Sequence, residues 1–178
     1  SIYNGDKFLT NYFDNIYKQT LKPHEVIIIN DGNNIFLKNI IKKNIKNYPT
    51  ILIKLINNKK NLGSKVSLNK GIAIAKTKIL FRLDVDDIWH KNHTQICINM
   101  LRKNPNFSIY SEVSNLNFFQ KITNDEYLVN RNTLIHSSWI LNLNVLDSFR
   151  YSGKKNECED YITLTKYIVN GAKIYYSK

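Results

Sequence analysis

Short apolar runs alternate with amphipathic stretches along the first half of the chain. Residues 25–30 form a nearly continuous apolar run, typical of a strand that is buried on both faces. Runs of this kind, separated by segments of helical periodicity, indicate strand–helix units around a parallel sheet. The predicted strands are 1–3, 25–30, 50–56 and 78–83, and the predicted helices are 6–19, 35–46, 63–75 and 90–103.

The second half of the chain is less regular. Its predicted strands are 107–116, 126–130 and 173–176, and its predicted helices are 137–143 and 157–169. We therefore expect one α/β domain over residues 1–178, with a regular half at 1–104 and a smaller mixed half at 105–178. Because Ser1-Ile2-Tyr3 reads as the last part of a strand, we also expect the sequence to be cut from a longer one.

Polar residues follow every predicted strand of the first half. In open parallel sheets, ligands bind in the crevice at the carboxyl ends of the strands, so these four ends predict one polar site. The ends are Tyr3-Asn4-Gly5, Asn30-Asp31-Gly32, Asn57-Asn58 and Asp84-Val85-Asp86-Asp87.

The last of these ends, the acidic tetrad Asp84–Asp87, holds three carboxylates in four residues. Carboxylates this close repel one another, which favours a cation among them. Oxygen ligands shared with nucleotide phosphates suit Mg²⁺ or Mn²⁺. The alternative is a solvated acidic turn that caps the helix predicted near His90.

The composition points to an anionic partner. The 178 residues carry a formal net charge of +12, spread along the chain without an arginine-rich arm or a nucleic-acid-binding motif. Two distant cysteines suit a reducing compartment, and no apolar stretch is as long as a membrane span. We expect a cytoplasmic protein with no specific nucleic-acid partner, whose basic surface could contact an anionic inner membrane peripherally.

Taken together, the motifs resemble those of the family 2 glycosyltransferases, which have the GT-A fold. The matching segments occur in the family's order: Tyr3-Asn4-Gly5, the stretch 19–32, Asn61-Leu62-Gly63 with Asn69-Lys70-Gly71-Ile72, 83–89, and Glu159-Asp160-Tyr161. The resemblance implies a Rossmann-like, mostly parallel sheet flanked by helices, with a smaller acceptor-side lobe. It also implies inverting transfer of a sugar from a nucleotide-diphosphate donor, with residues 1–104 binding the donor and 105–178 supplying the acceptor side and the base.

The resemblance also implies a donor site. Asp31 would accept a hydrogen bond from a uracil-like ring nitrogen, although Asp-Gly-Asn is also an ordinary turn. Lys65 stands at or near a position where the family often has arginine. The implied donor-binding residues are Tyr3, Asn4, Asp31, Lys65, Asn69 and Asp84, and the implied ligands of Mn²⁺ or Mg²⁺ are Asp84 and Asp86, with Asp87 as support or helix cap.

On the acceptor side, the resemblance implies that Glu159 and Asp160 form the catalytic pair, with Asp160 as the base and Glu159 orienting the acceptor or capping the helix. The alternative is structural, because Asn156 and Glu159 form a capping-box pattern and acids complement a helix N-terminus. His136 and Trp139 would border the acceptor. Each could equally be structural, and Trp89, like Trp139, could stack on a sugar or fill the core.

Other functions remain open. A haloacid-dehalogenase-like phosphatase would place its Asp-x-Asp on the first strand, and a sugar nucleotidyltransferase would need a glycine-rich loop after that strand. A dinucleotide-binding dehydrogenase would need the motif G-x-G-x-x-G after a strand, and none of the predicted strands is followed by it. A basic nucleic-acid-binding module is the non-enzymatic alternative. The favoured interpretation is a metal-dependent enzyme that moves a sugar, from a UDP-sugar, to a glycan or lipid-linked acceptor in bacterial surface polysaccharide synthesis.

Overall fold

A computed structural model describes residues 1–112, 136–154 and 157–177. None of the helices in these ranges is long and apolar enough to cross a bilayer. The helices are α1 (Leu9–Tyr17), α2 (Ile35–Asn47), α3 (Ser64–Ile74), α4 (His93–Lys103) and α5 (Glu159–Val169), with short 3-10 helices at Asp6–Phe8 and His136–Ser138. The strands are β1 (Glu25–Asp31), β2 (Leu52–Asn58), β3 (Ile79–Phe81), β4 (Ile109–Glu112), β5 (Ile140–Asn142) and β6 (Ile174–Ser177).

The chain forms two compact units. The first contains Ser1–Ala75 and Asp84–Asn99, and the second contains Lys76–Leu83 and Met100–Lys178. In the first unit β1 and β2 are parallel, in a register that pairs Glu25 with Leu52 and Asp31 with Asn58. The chain start adds a parallel bridge beside β1, because Ile2 N donates to Ile29 O and Asp31 N donates to Ile2 O, both at 2.8 Å.

Helices α2 and α3 illustrate how the sequence builds the first unit. The Asn34 side chain caps α2 by accepting from the backbone N–H groups of Phe36 and Leu37. Leu37 and Ile41, one turn apart, are fully buried. On α3, a methyl group at Gly71 would lie 3.8 Å from Ile27 and 3.9 Å from Ile29, so this helix packs on β1 at ordinary contact distance.

The second unit is built on a four-stranded sheet in the order β3-β5-β4-β6. Strand β5 is central, antiparallel to both β3 and β4, whereas β4 and β6 are parallel. Its residues Ile140, Leu141 and Asn142 are all buried. Two further backbone bonds, from Arg82 N to Trp139 O and from Leu143 N to Lys78 O, extend the β3–β5 ladder at both ends.

The sequence predicted most elements of the first half to within a few residues, but two expectations were wrong. Residues 137–143 form a 3-10 turn and strand β5 instead of a helix, because a fully buried central strand lacks the alternation that identifies strands. Strand β3, expected to continue the parallel sheet, pairs antiparallel with β5. The predicted strand 126–130 lies outside the described residues.

Candidate functional site

Asp31 ends β1 in a buried position, with 3% of its surface exposed. Its Oδ1 accepts two hydrogen bonds, from Asn58 Nδ2 at 3.0 Å and from the backbone N–H of Leu62 at 2.8 Å. Its Oδ2 receives no hydrogen bond from the residues that the structure describes. A carboxylate is an acceptor with two oxygens, so one side of Asp31 is committed to the fold and the other is available.

Side-chain amides hold the strand ends on either side of Asp31. Asn30 Nδ2 donates to Asn57 Oδ1 at 2.8 Å and to the carbonyl of Asn34 at 3.0 Å. Asn58 donates to Ser67 Oγ at 2.8 Å as well as to Asp31. Because these groups are largely buried, satisfied hydrogen bonds fix one geometry for the carboxyl edge of β1 and β2.

Tyr3 lies beside this edge. Its ring is so close to Gly32 that an added Cβ would come within 3.1 Å of Tyr3 Cε2, and Gly32 also has φ of +127°. The tyrosine itself is 59% exposed. Asn4 follows in the left-handed region, with φ of 54°, and is exposed. Glycine lets the backbone come this close to the ring, and the exposed part of the ring is available for stacking with a flat ligand.

The acidic tetrad also belongs to the first unit. Asp87 N donates to Asp84 O at 3.3 Å, which closes the four residues into a turn with Asp84 half-buried and Asp86 exposed. Helix α4 begins only at His93, so the tetrad does not cap it. Helix capping therefore does not explain why this turn carries three acidic residues.

Two amides that sequence reasoning missed hold the segment after the tetrad. Asn15 forms a paired contact with the backbone of Trp89, donating to its carbonyl at 2.7 Å and accepting from its N–H at 3.0 Å. Gln19, one turn further along, donates to the carbonyl of His90 and accepts from the N–H of Thr94. Asn15 lies near the end of α1 and Gln19 just after it, and no local pattern in the sequence indicates partners more than 70 positions away.

Lys65 and Asn69 lie on one side of α3, a helical turn apart, and both are half-buried. The loop before this helix is shaped by Asn61, whose Oδ1 accepts from Gly63 N at 2.9 Å, and by Gly63, whose φ is +88°. The predicted donor residues Tyr3, Asn4, Asp31, Lys65, Asn69 and Asp84 therefore all fall in the first unit.

His136 and Trp139 belong to an aromatic cluster of the second unit. His136 Nε2 is 2.9 Å from the Tyr151 hydroxyl, and the His136 ring meets the Trp139 ring edge-on. Trp139 is fully buried and parallel to Tyr151. This arrangement favours the core-packing alternative for Trp139, whereas His136 is only partly buried.

Glu159 and Asp160 form the first turn of α5. Asp160 is half-buried, and its carboxylate makes no hydrogen bond with the residues described here. Glu157, in contrast, accepts from Lys154 N at 2.5 Å and so holds the preceding loop. Asn156, the other half of the predicted capping box, lies outside the described residues.

The donor set can be tested against a divalent metal. No three His, Cys, Asp or Glu side chains converge on one point among the described residues, so the tetrad is not a complete metal cage. Mg²⁺ and Mn²⁺ are usually held by one or two carboxylates together with substrate phosphates. The half-buried Asp84 and the exposed Asp86 fit that partial role.

Solved structures share this fold. A mannosyltransferase from Pyrobaculum calidifontis in complex with GDP-Man and Mn²⁺ is similar with a TM-score of 0.76 and 19% identity, over 99% of this chain and 52% of that one. Staphylococcus aureus TarS 1-349 in complex with UDP-GlcNAc gives 0.77 and 17%, over 98% of this chain and 53% of that one. The predicted GT-A fold is confirmed.

Sequence comparison identifies the family. A UDP-Gal:alpha-D-GlcNAc-diphosphoundecaprenol beta-1,3-galactosyltransferase of Escherichia coli is 33% identical over 104 residues, which are 58% of this chain and 37% of that protein. The chain thus matches little more than a third of this relative's length. The family model for glycosyl transferase family 2 matches residues 1–154, and the chain therefore belongs to that family.

Proposed function

We propose that the protein is a metal-dependent, inverting glycosyltransferase that uses a UDP-sugar as donor. The observation that carries this proposal is Asp31, a buried carboxylate at a strand end with one oxygen bound by the fold and the other available to a ligand. Asp31 Oδ2 is not among the described side-chain atoms that are buried without a hydrogen bond, so an N–H of a ligand can reach it. Family membership supplies the reaction class.

The donor's base would lie between Tyr3 and Asp31. The exposed Tyr3 ring supplies a stacking face, and base–aromatic stacking contributes about 1–3 kcal/mol per base in comparable contacts. Asp31 accepts one hydrogen bond from a ring N–H of the base. Asn4, Lys65 and Asn69 are assigned to the remaining polar contacts of the nucleotide sugar.

Asp84 and Asp86 would hold Mn²⁺ or Mg²⁺ against the diphosphate, with Asp84 also facing the ribose. The ion offsets the negative charge that develops on the leaving nucleoside diphosphate. Two carboxylates alone would repel the phosphates, so these residues bind the donor well only as metal ligands.

Asp160 would take the proton from the acceptor hydroxyl as that oxygen attacks the anomeric carbon. Its carboxylate is not engaged by the described residues, unlike that of Glu157, which supports this choice. Glu159 and His136 are assigned to orienting the acceptor. The acceptor class is a glycan or a lipid-linked sugar of a bacterial surface polysaccharide, handled in the cytoplasm or at the inner membrane face. The name of the E. coli relative, which includes a sugar linked to diphosphoundecaprenol, supports the lipid-linked class.

The proposal is tested by UDP affinity and by nucleotide release from a panel of UDP-sugars. We expect Mn²⁺ to strengthen UDP binding at least tenfold, EDTA to reverse that gain, and Asp86→Ala to abolish it. Asp147→Ala, at an exposed aspartate of the second unit, is the matched control and should keep wild-type affinity. Undiminished turnover in metal-free buffer would disprove the metal assignment. A thermal shift with RNA but none with UDP would favour the nucleic-acid module instead.

A further inference from the structure

Asn58 lies beside Asp31 and binds one of its two carboxylate oxygens. The two residues are direct partners in the β1–β2 register, and Asn58 is 2% exposed. Its Nδ2 donates to both Asp31 Oδ1 and Ser67 Oγ, and its Oδ1 accepts from Lys70 Nζ at 2.6 Å. Ser67 is itself fully buried. The amide is therefore held from three sides, and it cannot rotate away from Asp31 without losing all three bonds.

The consequence is that Asp31 Oδ1 is saturated. A carboxylate oxygen accepts about two hydrogen bonds, and Oδ1 already accepts from Asn58 and from Leu62 N. Only Oδ2 remains for a ligand. Asp31 is thereby reduced from a two-oxygen acceptor to a one-oxygen acceptor.

Nucleobases differ in what they offer such an acceptor. Uracil and thymine present one ring N–H between two carbonyls, which a single oxygen satisfies. Guanine presents a ring N–H next to an amino group, a pair that matches both oxygens of a free carboxylate. The ring nitrogen of cytosine at this position is an acceptor and would face Oδ2 without a proton between them.

We infer that Asn58 is a positioning residue that makes the nucleotide site selective for uracil-type bases, by occupying the Asp31 oxygen that guanine would need. The inference rests on the proposed function, since it takes the ligand to be a nucleoside diphosphate. The Lys70 ammonium polarises the Asn58 amide and strengthens the bond that it donates.

The test is calorimetric binding of UDP, GDP and CDP to the full chain with Mn²⁺. Wild type should bind UDP at least tenfold more tightly than either competitor. Asn58→Ala should weaken UDP binding, and it should lower the UDP-to-GDP affinity ratio at least fivefold because GDP can then use both oxygens. Lys70→Met should lower the UDP-to-GDP affinity ratio two- to threefold. Because Lys70 is exposed, this variant should fold even if Asn58→Ala does not.

Asn57→Ala is the matched control, because Asn57 is also an amide at the end of β2 but bonds to Asn30 instead of Asp31. Its affinity ratio should equal that of wild type. An equal loss of UDP and GDP binding in Asn58→Ala, or an unchanged ratio in Lys70→Met, would show that these residues only support the fold. Tighter binding of GDP than UDP by wild type would overturn the inference but leave a nucleotide-sugar enzyme, whereas no binding of any diphosphate would overturn the proposed function as well.

Discussion

Gly5 lies directly against Val85, in the middle of the acidic tetrad. A Cβ added to Gly5 would come within 2.8 Å of Val85 Cγ1 and 3.0 Å of Ile2 Cγ2. The loop that follows the chain's first residues, where Tyr3 and Asn4 lie, is therefore packed onto the turn that carries Asp84 and Asp86. The loop with the proposed base-binding residues and the turn with the proposed metal ligands therefore meet at the contact between Gly5 and Val85.

Gly5→Ala should displace the tetrad turn, because the added Cβ would overlap Val85 Cγ1 and a β-branched side chain has little freedom to turn away. We expect at least a tenfold loss of the Mn²⁺-dependent part of UDP binding. We also expect destabilisation of about 1–3 kcal/mol from the overpacking. Calorimetry with and without Mn²⁺ measures the first effect, and urea unfolding measures the second.

Gly71→Ala is the control for this substitution. A Cβ there would meet Ile27 and Ile29 at ordinary contact distances, and the position is helical. Alanine should therefore stabilise the protein by about 0.5–1 kcal/mol and leave UDP binding unchanged. Equal Mn²⁺ effects in the Gly5 and Gly71 variants would mean that the contact with Val85 does not position the tetrad.

The sequence was sufficient to predict the donor-side elements because each leaves a local signal. Strand β1 is a continuous apolar run, α2 has a cap and an apolar stripe, and polar residues follow the strands. The fold and the candidate residues of the first unit could be predicted from such signals together with the family's motifs. Their assigned roles remain predictions.

The parts that escaped prediction depend on pairings between distant residues. Asn15 and Gln19 bind the backbone of Trp89 and His90, more than 70 positions away, and polar side chains at or just after the end of a helix give no sign of such partners. In the second sheet, strand β5 and the antiparallel pairing of β3 were missed for the same reason. Strand β5 is three buried residues whose neighbours are decided by tertiary pairing, which a short apolar run does not encode.

Asp160→Asn should separate binding from catalysis. The amide has nearly the same shape as the carboxylate but cannot take a proton, so UDP affinity should stay within twofold while turnover falls about a hundredfold or more. Glu157→Gln is the control, because glutamine can still accept the hydrogen bond from Lys154 N. Its turnover should stay near wild type. Full activity of the Asp160 variant would show that another group is the base, and Glu159 would be the next residue to test.

Tyr48 and Asp14 form a hydrogen bond between the residue after α2 and helix α1. The Tyr48 hydroxyl, more than burial or Lys18, sets the pKa of Asp14, which is lowered below 3.8. The same bond, together with burial, raises the pKa of Tyr48 to about 12. The bond therefore stabilises the fold between these limits, where Asp14 is charged and Tyr48 is protonated.

Tyr48→Phe should lower the free energy of unfolding at pH 7 by about 1 kcal/mol or less, because the Asp14 side chain is 44% exposed and solvent weakens the bond. A lowered carboxyl pKa gives stability that is present above the unfolded value and lost as pH falls, so the difference from wild type should shrink below about pH 4. A raised tyrosine pKa gives stability that is lost as pH rises from 10 towards 12. Urea unfolding of wild type and Tyr48→Phe at pH 7 and pH 3 measures the loss of this stability in acid. Tyr17→Phe is the control, because the Tyr17 ring also packs on Tyr48 but the Tyr17 hydroxyl does not bond to Asp14. A deficit of the same size at both pH values would show that the hydroxyl does not act through the charge of Asp14.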